Sequence, residues 1–194
     1  MFTTAITRQR RLLAALLFPV VIAACDAGSA VRPDAARTTA GARAMAAPLR
    51  DVTLGSCSNL AVSLPERVSA HLYAIGTQNY MWTGSAWLFV GPEADLFADA
   101  GGHGKMGIHY AGPTWLSNSG SGVVGIVADR CTPDANAIPW LLLSAVSSRG
   151  PGLFEGTTHI QRVNTVGGLM PSTPGTTYGE KVKVPYTAEY IFYR

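Results

Sequence analysis

His109 lies three residues before Gly112-Pro113-Thr114 and six before Trp115, with Tyr110 directly after it. A turn at Gly112-Pro113 can present one imidazole and two aromatic rings together, a set suited to a sugar ring or another small polar molecule. Beside a carboxylate such as Glu93 or Asp95, the same imidazole is equipped for general acid/base work in a hydrolase or lyase. Gln78 and Tyr80 add polar groups to the candidate ligand-binding set, and Gln161, Arg162 and Asn164 form a further polar cluster. An arginine in a partly buried strand needs carboxylates or carbonyls to receive its donors. Glu93 and Asp95, two apart and so on one strand face, are its expected partners in a polar network, with Gln161 satisfying backbone groups. Three functions remain open on these residues. A non-catalytic binding module requires an aromatic-lined concavity at His109, and an enzyme requires His109 within hydrogen-bond reach of a carboxylate. A purely structural domain predicts no pocket there.

Other chemistry has less to stand on. The chain contains no G-x-S-x-G nucleophile elbow. His71, His103, His109 and His159 form neither H-x-H nor H-E-x-x-H, so no metal site is expected. Gly102-His103-Gly104-Lys105-Met106-Gly107 matches G-x-G-x-x-G, but the residues after it are strand-like, whereas a dinucleotide site needs a helix N-terminus there. It is expected to be a hairpin turn, and no cofactor is expected. Cys57 and Cys131 lie outside any C-x-x-C motif; they form either a disulfide or two buried free thiols, the bridge being favoured in an oxidising compartment.

The N-terminus points to such a compartment. Arg8, Arg10 and Arg11 precede an uncharged apolar stretch, 12–24, of signal-peptide length and too short to span a bilayer. It ends in Ile22-Ala23-Ala24-Cys25, the pattern for lipoprotein processing, in which the Cys25 thiol receives the diacylglycerol. The alternative is an ordinary signal peptide cut after Ala30. The lipoprotein reading gives a signal segment 1–24, a lipid-anchored tether 25–50 with a membrane as partner, and a domain over 51–194. The tether is rich in Ala, Arg, Gly and Thr and short of large apolar residues, which favours a flexible segment over a short amphipathic helix. The formal charge of +3 falls to zero once the three signal arginines are removed. The domain carries eight basic and ten acidic residues with no basic stripe, so nucleic acid is not an expected partner.

The elements that must position the candidate residues are short β-type runs. Strands are predicted at 68–74, 78–82, 87–90, 94–98, 107–111, 123–128, 140–146, 157–164, 181–184 and 188–193. Gly, Pro, Ser and Asn punctuate them, including at Ile75-Gly76 and Gly91-Pro92. The uniformly apolar 140–143 fits a buried strand or a helix equally by periodicity. On 157–164, alternation places His159, Gln161 and Val163 on one face and Ile160, Arg162 and Asn164 on the other, so neither face is purely apolar. The expected architecture is all-β and single-domain, an antiparallel β-sandwich or a partly closed β-barrel.

Six ordered motifs also carry a family resemblance. They are Gly76-Thr77-Gln78-Asn79-Tyr80, Pro92-Glu93-Ala94-Asp95-Leu96-Phe97, the stretch from Gly107 through His109 to Trp115, Ala137-Ile138-Pro139-Trp140 with its leucines, Ile160-Gln161-Arg162-Val163-Asn164 onward, and Val184-Pro185-Tyr186 to Tyr193. Together they resemble the exported bacterial and fungal family known as domain of unknown function 3455. That resemblance implies kinship without an activity. Relatives often have a cysteine after the Gly-x-Gln-x-Tyr motif and another after Gly-Gly-x-x-Pro, which implies that those two pair. Here Trp82 and the cysteine-free 171–179 stand in those places, with Cys57 and Cys131 as a substitute staple. Ser119-Gly120-Ser121 replaces the family's Asp-Gly-Ser.

Overall fold

The computed structural model describes residues 52–194; the expected signal segment, Cys25 and the tether 25–50 lie outside the described residues. A short 3-10 helix, Gly55–Leu60, precedes eight strands: β1 (Val68–Trp82), β2 (Trp87–Phe97), β3 (Lys105–Tyr110), β4 (Thr114–Ser117), β5 (Gly122–Cys131), β6 (Trp140–Arg149), β7 (His159–Gly167) and β8 (Lys181–Tyr193). Each pairs antiparallel with the next, and β8 returns to β1, so a single sheet closes on itself. The architecture is therefore all-β, and of the two expected forms it is the barrel, with a complete ring. Eight strands leave an interior just wide enough to be packed by side chains or to hold one small ligand.

Period-2 burial builds the wall. β1 buries Ala70, Leu72, Ala74, Gln78, Tyr80 and Trp82, and β8 buries Tyr186, Ala188, Tyr190 and Phe192 on its inward face. The main core joins Ala70, Leu72 and Ala74 and the four β8 residues to Leu96, Trp115, Leu143, Ile160 and Phe154, while Tyr80 and Trp82 form a small cluster with Trp87. Phe154 comes from the connection between β6 and β7 and packs against Phe192 with ring centroids 4.7 Å apart and 42° between ring planes, plugging that end of the barrel. Its amide donates to the Ser121 hydroxyl, which is 2.8 Å from that of Ser117.

The strands are fewer and longer than the ten predicted, because two expected turns lie inside strands. Gly76 sits mid-strand opposite both Ala94 and Tyr186, and a Cβ there would overlap the Glu93 carbonyl oxygen. This glycine permits close approach of the β2 backbone; it does not reverse the chain. Gly91, at φ 150°, lies at a β-bulge where the register shifts between Asn79 and Tyr80, and β2 continues through Pro92. Likewise β8 runs straight through Pro185. Thr114–Ser117, which lies outside the predicted strands, is a strand paired on both sides. The run Gly102–Gly107 leaves the β2–β3 hairpin directly into strand β3, as the turn reading expected.

A second small core lies outside the barrel. Val52, Leu54 and Val62 pack on Val163, Ile191 and Tyr193, so the C-terminal half of β8 is buried on both faces. Gln161 joins the two layers: its amide donates to the Leu60 carbonyl at 2.7 Å and its oxygen accepts from the Tyr193 hydroxyl at 2.8 Å. A disulfide between Cys57 and Cys131, Cα atoms 5.6 Å apart, ties the 3-10 helix to β5. The bridge, not the pair of free thiols, is the form present, and it is compatible with an exported protein.

Candidate functional site

The barrel wall is incomplete on one side because β3 and β4 are short. β2 pairs with β3 only over Glu93–Phe97, and β5 pairs with β4 only over Gly122–Val124. The remaining halves of β2 and β5 therefore face each other across a notch above the Gly112-Pro113 turn. Leu88, Phe89 and Val90 on one side and Ile126 and Val127 on the other are exposed apolar residues. Behind the notch lies a cavity of about 400 Å³ in the half of the barrel opposite Phe154. Tyr80, Phe89, Trp115, Ile138, Leu141 and Leu143 supply much of its apolar lining, and Gln78, His109, Arg130, Arg162 and Tyr190 are its polar members.

Of the residues proposed from sequence as ligand-binding, the structure brings Gln78, Tyr80, His109 and Trp115 together on this lining. Tyr110 is a correction. Strand alternation turns it to the outer face, opposite His109, where it borders a separate groove with Ile75, Ile108, Glu93 and Asp95. His109 stacks on Trp115 with centroids 4.5 Å apart and 13° between ring planes, and Tyr190 tilts against both. Nδ1 of His109 is 2.9 Å from the Thr114 carbonyl, so it is the donor there and the ring carries its proton on that nitrogen. Burial pushes the imidazole pKa down from 6.5 to about 3, partly offset by that hydrogen bond and reinforced by the Arg162 charge. His109 is therefore neutral at ordinary pH.

The expected union of Arg162 with Glu93 or Asp95 does not form. Arg162 follows Ile160 on the inward face of β7, whereas Glu93 and Asp95 face outward from β2. Glu93 pairs there with Lys183 and Asp95 with Lys105, at 2.5 and 2.7 Å. The same geometry removes the carboxylate needed to orient His109 as a general acid/base, because no Asp or Glu lines the cavity. Instead Nε and Nη2 of Arg162 both donate to the Pro139 carbonyl, at 3.1 and 2.7 Å. Asn164 also lies outside the cavity. It occupies a β7 bulge at φ 49° and donates to Glu189, whose other oxygen is 2.7 Å from His71 Nε2. Gln161 serves the outer layer described above. The anticipated single polar network is thus divided among the cavity, the outer sheet and the covering segment.

Among the described residues, four buried side-chain polar atoms lack a well-formed hydrogen bond: Gln78 Nε2, Trp115 Nε1, and the hydroxyls of Tyr186 and Tyr190. Gln78, Trp115 and Tyr190 line the cavity. Tyr186 nevertheless interacts with Tyr190 and with the Gln78 amide, and Tyr190 with Arg162, a loose polar chain whose contacts fall short of well-formed hydrogen bonds. Burial raises the pKa of Tyr80, Tyr186 and Tyr190, with the Arg162 charge opposing it in each case. The phenols therefore stay neutral, and the arginines are the only charged side chains on the lining. Sequence reasoning missed Tyr190 and Tyr186, although their spacing of four on a strand places them on one face. Among the described residues no group of three or more His, Cys, Asp or Glu is placed to hold a metal ion.

A family model described as "Protein of unknown function (DUF3455)" matches residues 63–194, which span all eight strands. The chain belongs to the DUF3455 family. The match begins after the covering 3-10 helix, so Cys57 lies before the matched region of this DUF3455 domain while its partner Cys131 lies within it. No curated protein and no solved structure matches the chain.

Proposed function

We propose that this DUF3455 protein is an exported lipoprotein whose barrel is a non-catalytic binding module, with a small molecule seated behind the notch and a lipid on Cys25 anchoring the chain to a membrane. The observation that carries the binding reading is the set of unpartnered polar atoms on residues lining an otherwise apolar cavity. Each buried group without a partner costs roughly 1–3 kcal/mol, a penalty with no structural return and one that a bound polar group relieves. A cavity of about 400 Å³ falls in the size range of small-molecule sites. A purely structural barrel would fill this volume with side chains, as the Phe154 end does. The hydrolase or lyase alternative loses its support because His109 has a carbonyl, not a carboxylate, as its partner.

The test uses the mature chain isolated from its envelope without denaturation. Native mass spectrometry should find a small molecule in near-stoichiometric amount, and adding it back to stripped protein at a hundredfold excess over Kd should stabilise the fold by ~2.7 kcal/mol. Protein that carries nothing, and whose melting temperature no extract of the envelope raises, returns the domain to a structural role. The anchor is tested separately: Cys25→Ser should move the protein from the detergent phase to the aqueous phase, and unchanged partitioning would remove the lipoprotein reading.

A further inference from the structure

The charges of this barrel are segregated. Glu93 and Asp95 stand outside, each neutralised by a lysine. Arg162 stands inside, half-buried, and among the described residues no carboxylate lies within ion-pair distance of it. A guanidinium has five N–H donors; two go to the single Pro139 carbonyl and Tyr190 is a further side-chain neighbour, which leaves donors to spare. Arg130 adds a second positive group on the exposed β5 side of the lining, next to Asp129 in the chain but with no acid on the lining itself. His109 contributes no charge. The unpartnered atoms nearby are biased in the same sense: Gln78 Nε2 and Trp115 Nε1 can only donate, and the tyrosine hydroxyls can donate. A cavity with spare donors, a net positive charge and apolar walls lacks an acceptor-rich anion with an apolar body.

We infer that the ligand of this cavity is an organic monoanion, its carboxylate or equivalent oxyanion on Arg162 and its apolar body against Tyr80, Phe89, Trp115, Leu141 and Leu143. The inference rests on the binding reading and narrows it to a ligand class. Arg162 is well suited to the role because a planar guanidinium meets a carboxylate through two parallel hydrogen bonds. Its neighbours on both sides in the sheet, Leu141 and Tyr190, line the same cavity, so the headgroup and the apolar body share one site. The notch between β2 and β5 provides the path, with Phe89, Val90 and Val127 on its apolar rim and Arg130 as a surface charge that attracts anions.

The experiment is calorimetric titration of the mature, stripped chain near neutral pH with matched acids and amides: octanoate against octanamide, and phenylacetate against phenylacetamide. Each acid should bind at least about tenfold more tightly than its amide, as a charge-assisted hydrogen bond in a shielded site implies. Arg162→Met should reduce that preference to less than about threefold, Arg162→Lys should retain part of it, and Lys105→Gln on the outer face should leave it unchanged. Should Arg162→Met fail to fold, the wild-type comparison and the lysine variant still decide. Amides that bind as well as acids would overturn the anion assignment while leaving a binding cavity. Acid preference that survives in Arg162→Met would overturn the role of this residue. Failure of every acid and amide to bind overturns the anion assignment; if the envelope-isolated protein also carries nothing, the binding reading falls with it.

Discussion

Acidification from about pH 7.5 to about pH 4.5 should cost the barrel about 3 kcal/mol of folding free energy through His109 alone. In the unfolded chain this imidazole titrates near 6.5; in the fold, burial lowers it to about 3. Between those values the unfolded state binds a proton that the folded state refuses, so stability rises with pH through the window and falls as pH drops through it. The slope approaches ~1.4 kcal/mol per pH unit well below 6.5, and integrating from about 7.5 to 4.5 gives the quoted loss. The assay is urea denaturation of unliganded, disulfide-intact protein in a series of buffers, compared with His109→Gln. The glutamine amide can still donate to the Thr114 carbonyl but does not titrate. The His71–Glu189 and His159–Glu66 pairs are common to both proteins and cancel in the difference. A wild-type-minus-variant difference that changes by less than about 0.5 kcal/mol across the series would falsify the buried, neutral imidazole.

Replacing Cys57 and Cys131 by alanine opens a loop with a sequence separation of 74 residues and should lower stability by ~4 kcal/mol, read as a lower urea midpoint; a loss below ~1 kcal/mol would show that the covering segment holds without its staple. Tyr190→Phe removes a buried hydroxyl that lacks a well-formed hydrogen bond, so unliganded protein should be as stable as wild type or up to ~1 kcal/mol more so, while the acid ligands above should bind more weakly; a clear loss of melting temperature would mean that its contacts with Tyr186 and Arg162 satisfy it in solution. Gly76→Ala should destabilise by ~3 kcal/mol in the same urea assay, because its Cβ would overlap the β2 backbone; a neutral result would remove the close approach of β1 and β2.

Local chemistry was enough to make this chain β-rich. The alternation in β1 and β8, the turn residues and the cysteine context are properties of neighbouring residues, and strand formation responds to neighbours. His109, Trp115, Gln78 and Tyr80 were legible as candidates because they are polar or aromatic residues within ordered motifs. The partners were not legible. Which face of a strand points inward depends on what covers it, and β8 is buried on both faces only because residues 52–62 pack over Ile191 and Tyr193. The same ambiguity misassigned Arg162: alternation correctly set it apart from Gln161, but only closure of the barrel put it on the opposite side of the sheet from Glu93 and Asp95. Gly76 and Gly91 looked like chain reversals, since a sequence does not reveal whether glycine is needed for its dihedral freedom or for its missing side chain. The cavity exists because β3 and β4 stop short of their neighbours, and strand length relative to a partner is a relation between distant segments. Residue types set what each strand can do; the closure of eight strands into one ring determined which side chains meet, because contacts across a barrel join residues that are far apart in the chain.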